Sequence, residues 1–193
     1  MTTTRPDAAP AAGTRDRLLD AAAELFYREG VGVGVEALCR AAGVSKRSMY
    51  QLFESKDEVF AAALDRSAAA YRAALIPAAD VGETPRARIL HVFEALEAQA
   101  ASPGYRGCPF VAAAVEVKSP EHPASVVARR HKDALTGFFQ AELERAGAAD
   151  PVTLARRLTI VFDGASARAV VQGAPLDGLA VTTATALLSH GGV

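Results

Sequence analysis

Apolar residues at three- and four-residue spacing fill most of this sequence, and Pro or Gly interrupts them at intervals that suit helices. Alanine and leucine dominate, whereas the alternation of β-branched and polar residues that is typical of a strand is scarce. Hydrophobic residues make up 50% of the 193 positions, which is enough for a sizeable core and excludes a globally disordered chain. The pattern predicts an all-α protein of about nine helices.

The first three predicted helices follow one another closely. The first is predicted from about Thr14, as its N-cap, to Gly30. The second ends at Gly43, and Ser45 can cap a third helix over about 46–53. Three apolar residues are predicted on the inner face of the third helix: Met49, Leu52 and Phe53. Two short helices joined by a tight turn make a helix-turn-helix.

Caps and Pro residues also predict the later helices. Ser55 and Glu58 form a capping-box pattern that opens a long fourth helix, which Pro77 ends. Each of the next five helices is predicted to begin at a Pro or at the residue before it: 84–101, 109–118, 123–146, 150–172 and 175–189. The last two are apolar on one side, which favours a partner subunit.

Charge is distributed unevenly along the chain. The net charge of −1 argues against a nucleic-acid partner only if the charge is uniform. From Arg40 to Lys56 the chain carries four basic residues and one acidic residue, a net charge of +3, which leaves −4 elsewhere. A helix that begins with Ser, Lys, Arg and Ser can enter the major groove, because its N-terminal N–H groups favour phosphate and Arg pairs with guanine.

Few residues point to chemistry other than binding. Cys39 and Cys108 are far apart and form neither a disulfide framework nor a paired zinc site, so we expect a cytoplasmic protein. The four histidines lack ligand spacing and no nucleophile stands beside a base, so we expect no metal, no cofactor and no enzymatic activity. No segment approaches roughly 18 uninterrupted apolar residues, which excludes membrane insertion.

Several spaced motifs together resemble the DNA-binding head of the TetR family of transcriptional regulators. They cover about 14–60: Thr14-Arg15-Asp16-Arg17-Leu18-Leu19-Asp20-Ala21-Ala22, Leu25-Phe26, Ala42-Gly43-Val44-Ser45-Lys46, Met49-Tyr50, Phe53 and Ser55-Lys56-Asp57-Glu58. Two later segments resemble one branch of the ligand-binding domains of the family: Arg106-Gly107-Cys108-Pro109-Phe110 and Arg129-Arg130-His131-Lys132.

The resemblance implies a sequence-specific DNA-binding regulator, most often a repressor that a small-molecule effector releases from a palindromic operator. It implies a homodimer whose partners are double-stranded operator DNA and an effector of unknown identity. We expect a disordered arm over 1–13, a helix-turn-helix DNA-binding domain over 14–60, and an effector-binding and dimerisation domain over 61–193.

The resemblance also implies site residues. Those expected on DNA are Thr14, Ser45, Lys46, Arg47, Ser48, Tyr50, Gln51 and Lys56, with Tyr50, Lys56 and Thr14 on phosphates and Arg47 as the main specificity residue. Those expected to line an effector pocket are Tyr71, Phe93, Cys108, Phe110, Phe138 and Phe139. Those expected at the dimer interface are Leu158, Phe162, Ala165, Ala169, Leu179 and Leu187. Intramolecular packing is the alternative for these two apolar sets.

The connection between the first two helices departs from the family pattern. The family commonly has a Thr there that binds a phosphate, whereas this chain has alternating Gly and Val from Gly30 to Val35 and is shorter by about one residue. Glycine N–H groups could take the place of that contact. The alternative function is a helical small-molecule-binding protein or enzyme whose head no longer reads DNA.

Overall fold

The computed structural model describes residues 13–78 and 84–193, which form nine α-helices and no strand. The helices are α1 (Thr14–Glu29), α2 (Val35–Ala42), α3 (Lys46–Leu52), α4 (Lys56–Leu75), α5 (Pro85–Ala100), α6 (Pro109–Val117), α7 (Pro123–Arg145), α8 (Pro151–Gln172) and α9 (Leu179–His190). The all-α prediction is confirmed. Residues 1–12 of the predicted N-terminal arm lie outside the described residues.

Most predicted helix starts are confirmed by their cap hydrogen bonds. The side chains of Ser55, Thr84 and Asp150 accept hydrogen bonds from backbone N–H groups three residues later, at 3.1, 3.2 and 3.0 Å. Glu58 completes the capping box in a shifted form, because it accepts from the N–H of Glu54 at 2.7 Å rather than from that of Ser55.

Three local predictions are wrong. Gly13 rather than Thr14 holds the cap position of α1, and no side chain makes a cap hydrogen bond there. The last helix begins at Leu179 rather than near 175, because Asp177 and Gly178 have φ values of 50° and 82°, which lie outside the helical region. Leu52 is 40% exposed rather than on the inner face of α3.

Helices α1 to α3 share one core, and α4 connects it to the rest of the protein. Met49 of α3 has no exposed surface and contacts Cys39 of α2, with the two sulfur atoms 3.9 Å apart. Phe26 of α1 packs on Phe60 of α4 with ring centroids 4.5 Å apart. The first turns of α4 are thereby packed against α1, which also contacts α2 and α3.

Helices α5, α7 and α8 enclose the second part of the core around three phenylalanines. The Phe93 ring stacks on Phe139 at 5.7 Å and meets Phe162 edge-on at 6.4 Å, and none of the three is exposed. Phe93 and Phe139, which are predicted to line an effector pocket, are thus covered by other protein side chains in this structure. Phe138 is half-buried beneath the Arg88 guanidinium, 5.9 Å from the ring centroid.

The apolar stripes of α8 and α9 are also mainly internal. Leu158 and Phe162 have no exposed surface and Ala169 is 5% exposed, so these three pack inside the protomer and cannot form a dimer interface. Ala165 and Leu187 are half-buried, and Leu179 is 52% exposed. Within the described ranges, no helix is both long and apolar enough to cross a membrane.

Candidate nucleic-acid interface and ligand cavity

The turn between α2 and α3 sets the angle of the helix-turn-helix. Gly43 has φ +62°, a left-handed conformation that suits glycine, and the Val44 N–H donates to the Cys39 carbonyl at 3.0 Å. Ser45 then caps α3 by accepting the Ser48 N–H at 3.0 Å. The sequence places each of these residues where the turn requires it.

Helix α3 is anchored by its inner face and exposes its polar face. Met49 and Phe53 are 0% and 4% exposed and hold the helix against α1 and α2. Arg47 and Gln51 are exposed on the opposite face, and Tyr50 is 50% exposed with its hydroxyl free of the core. The predicted DNA-contacting residues of α3 are thus brought together on one solvent-facing surface that a duplex can reach.

The N-terminus of α3 uses some of its polar groups within the protein. The hydroxyls of Ser45 and Ser48 are 2.8 Å apart, so one donates to the other while Ser45 also serves as the cap. The Lys46 ammonium lies 3.6 Å from a Glu36 carboxylate oxygen and remains 57% exposed. Lys46 is therefore free to turn to a phosphate or base edge, since an exposed ion pair of this kind is weak.

Lys56 has a structural role that the sequence did not predict. Its ammonium donates hydrogen bonds to the carbonyls of Val31 and Val33 at 2.8 and 3.1 Å, which fastens the glycine-rich connection to the start of α4. A lysine ammonium has three N–H donors, so one donor remains for the predicted phosphate contact.

The glycine-rich connection is also fastened from α6. The Val31 N–H donates to the Glu116 carboxylate at 2.8 Å. Gly30 has φ +81°, and a Cβ there would lie 2.5 Å from the same carboxylate oxygen, so this position requires glycine. Gly32 and Gly34 have no neighbouring atom within 4 Å of a Cβ position, so their backbone is open to a partner.

The start of α1 adds a basic residue to this surface. The Arg15 guanidinium lies 5.2 Å from the Phe53 ring centroid, and both Arg15 and Thr14 are exposed. Arg15 is not singled out by the sequence pattern, because only the packing of α1 beside Phe53 brings it near α3. Its position next to Thr14 in the α1 motif is the one sequence signal that could have found it.

A cavity of about 340 Å³ lies where α1, α4 and α6 meet. Its walls are mainly apolar and aromatic, and Tyr71 is the predicted effector-site residue that lines it. Cys108 and Phe110 instead border a separate void of about 30 Å³ on the other side of Tyr71. A cavity of a few hundred cubic ångströms is the size that small-molecule sites have.

Several ionisable groups near α4 are neutral or occupied in structural contacts. Burial raises the pKa of the Tyr71 hydroxyl and raises that of Tyr105 to about 12, so both phenols are neutral. The hydrogen bond from His131 lowers the pKa of Asp65, and the neighbouring Arg130 adds to this shift. Cys108 is buried, and its backbone N–H donates to the Ser166 hydroxyl at 2.7 Å.

Two of the four histidines take part in packing, and His91 and His190 are exposed. His122 caps α7 by accepting the Ala124 N–H at 3.1 Å, and its other nitrogen lies 3.3 Å from Asp57 of α4. His131 stacks on Phe110 with centroids 4.7 Å apart. In the part of the chain that the structure describes, no group of three or more His, Cys, Asp or Glu is placed to hold a metal ion.

The exposed sides of α8 and α9 carry apolar and small residues. Ile160 and Val171 of α8 are 70% and 78% exposed, and Gly164 and Ala167 lie between them at helical spacing. On α9, Thr183 and Ala186 are also exposed. An exposed apolar stripe of this kind on a monomer is typical of an interaction surface.

Known proteins with the same architecture have related sequences. Residues 18–63 match the model of bacterial regulatory proteins of the tetR family. A solved structure of a Streptomyces avermitilis protein assigned to the TetR transcriptional regulators is 56% identical with a TM-score of 0.91, and the match covers 94% of this chain and 100% of that one. Among curated proteins, none matches the sequence significantly.

Two more distant relatives have the same fold along nearly their whole length. A TetR-family transcriptional regulator from Streptomyces coelicolor is 27% identical with a TM-score of 0.80, and the match covers 92% of this chain and 95% of that one. The reduced form of NemR from Escherichia coli is 25% identical with a TM-score of 0.76, over 93% of this chain and 97% of that one. With the exposed face of its helix-turn-helix and its 56% identity to a complete relative, this chain belongs to the TetR family of DNA-binding transcriptional regulators.

Proposed function

We propose that this regulator is a homodimeric repressor that binds a two-fold symmetric operator and leaves it when a small-molecule effector binds. The observation that carries the proposal is the exposed polar face of α3, held rigidly from behind by Met49 and Phe53. Residues 14–60 are the proposed DNA-binding domain, and 61–193 are the proposed effector-binding and dimerisation domain. Residues 1–13 are proposed as an arm.

Base readout and phosphate contact are assigned to different side chains. Arg47 and Gln51 lie on the exposed face of α3, where a bidentate contact to guanine by Arg or to adenine by Gln gives sequence preference. Tyr50 and Thr14 carry exposed hydroxyls that suit phosphate oxygens, and Arg15 beside Phe53 adds a positive charge. Phosphate contacts set the orientation of the head, and the α3 side chains set the specificity.

The dimer is proposed to form through the exposed sides of α8 and α9. Ile160, Ala167 and Val171 offer an apolar stripe on α8, and Ala186 extends the small-residue surface onto α9. Two copies of this surface would bury it in a four-helix interface about a two-fold axis. A two-fold dimer presents two α3 helices to two half-sites, which matches a palindromic operator.

The effector signal is proposed to pass along α4. This helix runs 20 residues, or about 30 Å, from the head to the second part of the core. Phe60 and Tyr71 of α4 line the cavity, and Lys56 at its first turn holds the connection before α2. A ligand that changes the position of α4 therefore changes the position of α2 and α3, and with it the spacing of the two heads.

Binding to the DNA upstream of the gene for this chain tests the proposal. Fluorescence anisotropy with a labelled upstream fragment should show specific binding that survives excess competitor DNA and weakens steeply with salt. Arg47→Ala should relax the base preference and weaken specific binding by about 1–3 kcal/mol. Arg129→Ala, which removes an exposed arginine of α7 rather than of the helix-turn-helix, is the matched control.

Two results would contradict the proposal. A salt dependence with a slope near zero would mean that the head does not contact phosphates. Equal loss of base preference in Arg47→Ala and Arg129→Ala would mean that α3 does not read the bases. The first result would favour a helical small-molecule-binding protein that no longer recognises an operator, which is the alternative function.

A further inference from the structure

We propose that the cavity between α1, α4 and α6 binds a lipophilic organic cation, which pairs with the Glu116 carboxylate and draws it from the Val31 N–H. This inference rests on the effector response proposed above, because it assigns that response a site and a ligand class. The site lies at the junction of the head and the rest of the protein, so the ligand contacts both parts at once.

The walls of the cavity suit an apolar, aromatic ligand. Phe26 and Tyr27 of α1 and Phe60 and Tyr71 of α4 line a space of about 340 Å³. Alanines make up much of the remaining wall: Ala23, Ala63, Ala112 and Ala113. Aromatic faces also attract a cation, since the ring quadrupole is negative above the ring plane.

The charge of the lining selects a cation over an anion. Glu24 and Glu116 both line the cavity, and none of the described residues that line it is positively charged. Glu24 is already paired with Arg28 at 3.1 Å. Glu116 has no ion-pair partner within the described ranges and accepts only the neutral Val31 N–H. The exposed Glu24–Arg28 pair is weak, so both carboxylates can attract a cation, and Glu116 is the one that no described cation already neutralises.

Tyr71 gives the cavity an aromatic wall rather than a polar group. Its hydroxyl has almost no exposed surface, and burial raises its pKa, so it stays neutral. The charge of the lining therefore comes from its carboxylates.

In the described part of the chain, two polar bridges join the head to α6 and to the segment just before it, and the cavity lies between them. At the start of α6, the Tyr27 hydroxyl accepts the Arg106 N–H at 2.9 Å and donates to the Gly107 carbonyl at 3.3 Å. At its end, Glu116 accepts the Val31 N–H at 2.8 Å. A cation paired with Glu116 weakens the second bridge and loosens the connection that precedes α2.

Two ions of similar size and shape but opposite charge test the ligand class. Titration calorimetry of the full chain without DNA should show that tetraphenylphosphonium binds about tenfold more tightly than tetraphenylborate. Glu24 and Glu116 are exposed, so each should attract the cation and repel the anion by a fraction of a kcal/mol, and the differences add. Equal affinities would overturn the inference. Tighter binding of tetraphenylborate would also overturn it, and would point to the pocket beside Lys118, Arg129 and Lys132.

Matched variants locate the bound ion. Glu116→Gln keeps an oxygen for the Val31 N–H but removes the charge, so its affinity for tetraphenylphosphonium should fall at least about fivefold. Glu94→Gln, at an exposed position on α5 that does not line the cavity, should leave the affinity unchanged. Ala112→Phe fills the cavity from an exposed wall position and should abolish binding. If the two Glu variants changed the affinity for tetraphenylphosphonium equally, or if Ala112→Phe bound it as well as the wild type, the assignment of the ion to this cavity would be wrong.

Measurements of DNA binding with and without the ion separate this inference from the proposed function. Binding of the ligand-free wild-type chain to the upstream DNA tests the proposed function alone. Addition of tetraphenylphosphonium should then weaken that binding in the wild type and in Glu94→Gln, but not in Ala112→Phe. Ion binding at the cavity without any change in DNA affinity would overturn the coupling through Glu116.

Discussion

Replacement of Lys56 by Met tests whether this ammonium holds the connection between α1 and α2. The two hydrogen bonds from its Nζ to the Val31 and Val33 carbonyls are 2.8 and 3.1 Å long, and the side chain is half-buried. Met has a similar length and keeps the apolar contacts of the lysine stem, but it removes the charge and all three donors. The substitution therefore isolates the ammonium.

The expected loss follows from those two bonds. A hydrogen bond from a charged donor contributes about 1.5–3 kcal/mol when it is shielded from water, and less when water competes for the donor. For a half-buried ammonium we expect Lys56→Met to lower the free energy of unfolding by about 2 kcal/mol. That loss corresponds to a decrease of about 4–8 °C in Tm for a chain of this size.

Urea unfolding at one fixed protein concentration measures the loss, since dimerisation makes stability depend on concentration. Lys46→Met is the matched control, because Lys46 is 57% exposed and its ion pair with Glu36, at 3.6 Å, is open to solvent. It should change the free energy of unfolding by less than about 0.5 kcal/mol. Equal urea midpoints for the two variants would refute the reasoning, because the carbonyl contacts would then contribute nothing to stability.

Three further substitutions test packing and assembly. Glu142→Ala should lower the free energy of unfolding in urea by about 3–5 kcal/mol. The Arg88 guanidinium lies 2.9 Å from Glu142 and is nearly fully buried, so the substitution leaves it without its counter-charge. A loss below about 1 kcal/mol would show that the pair is not shielded from water. Asp65→Asn should cost about 0.5–1 kcal/mol near pH 6, since Asp65 is 47% exposed. The pKa of Asp65 is lowered in the folded state, chiefly by His131, so its contribution is present above the unfolded pKa and is lost as the pH falls through the folded one. The melting temperatures of wild type and Asp65→Asn should thus converge as the pH falls below the folded pKa of Asp65, and a difference that persists in strong acid would exclude the carboxylate as its cause. Ile160→Glu should weaken the dimer at least about tenfold in sedimentation experiments without unfolding the protomer, because Ile160 is 70% exposed; an intact dimer would exclude this stripe as the interface.

Features that depend on neighbouring residues could be predicted from the sequence. The Ser45, Ser55 and Asp150 caps and the Gly43 turn form where the residue types require them, because each involves atoms within a few positions of one another. A residue is placed on the wrong face of a helix where more apolar residues have the right spacing than the core can hold. Leu52 has the spacing of an inner residue, but Met49 and Phe53 already fill the space beneath α3.

Features that depend on which helix covers which stripe could not be predicted. The periodicity of α8 shows that Leu158 and Phe162 lie on one apolar face, but not whether that face meets α7 or a second subunit. The structure places Phe162 against Phe93, and the surface left for a partner is a different one that includes Ile160.

By itself, the sequence determined the helical class, most helix starts, and the polar face of α3 that makes this chain a DNA-binding regulator. Tertiary structure alone decided the cavity beside Tyr71, the position of Arg15 on Phe53, and the bond between Val31 and Glu116 across 85 positions. The physical reason is the separation along the sequence of the residues involved. Caps, turns and helix faces arise from contacts within one or two helical turns. A cavity or a bridge between helices depends instead on how all the side chains of several helices pack together.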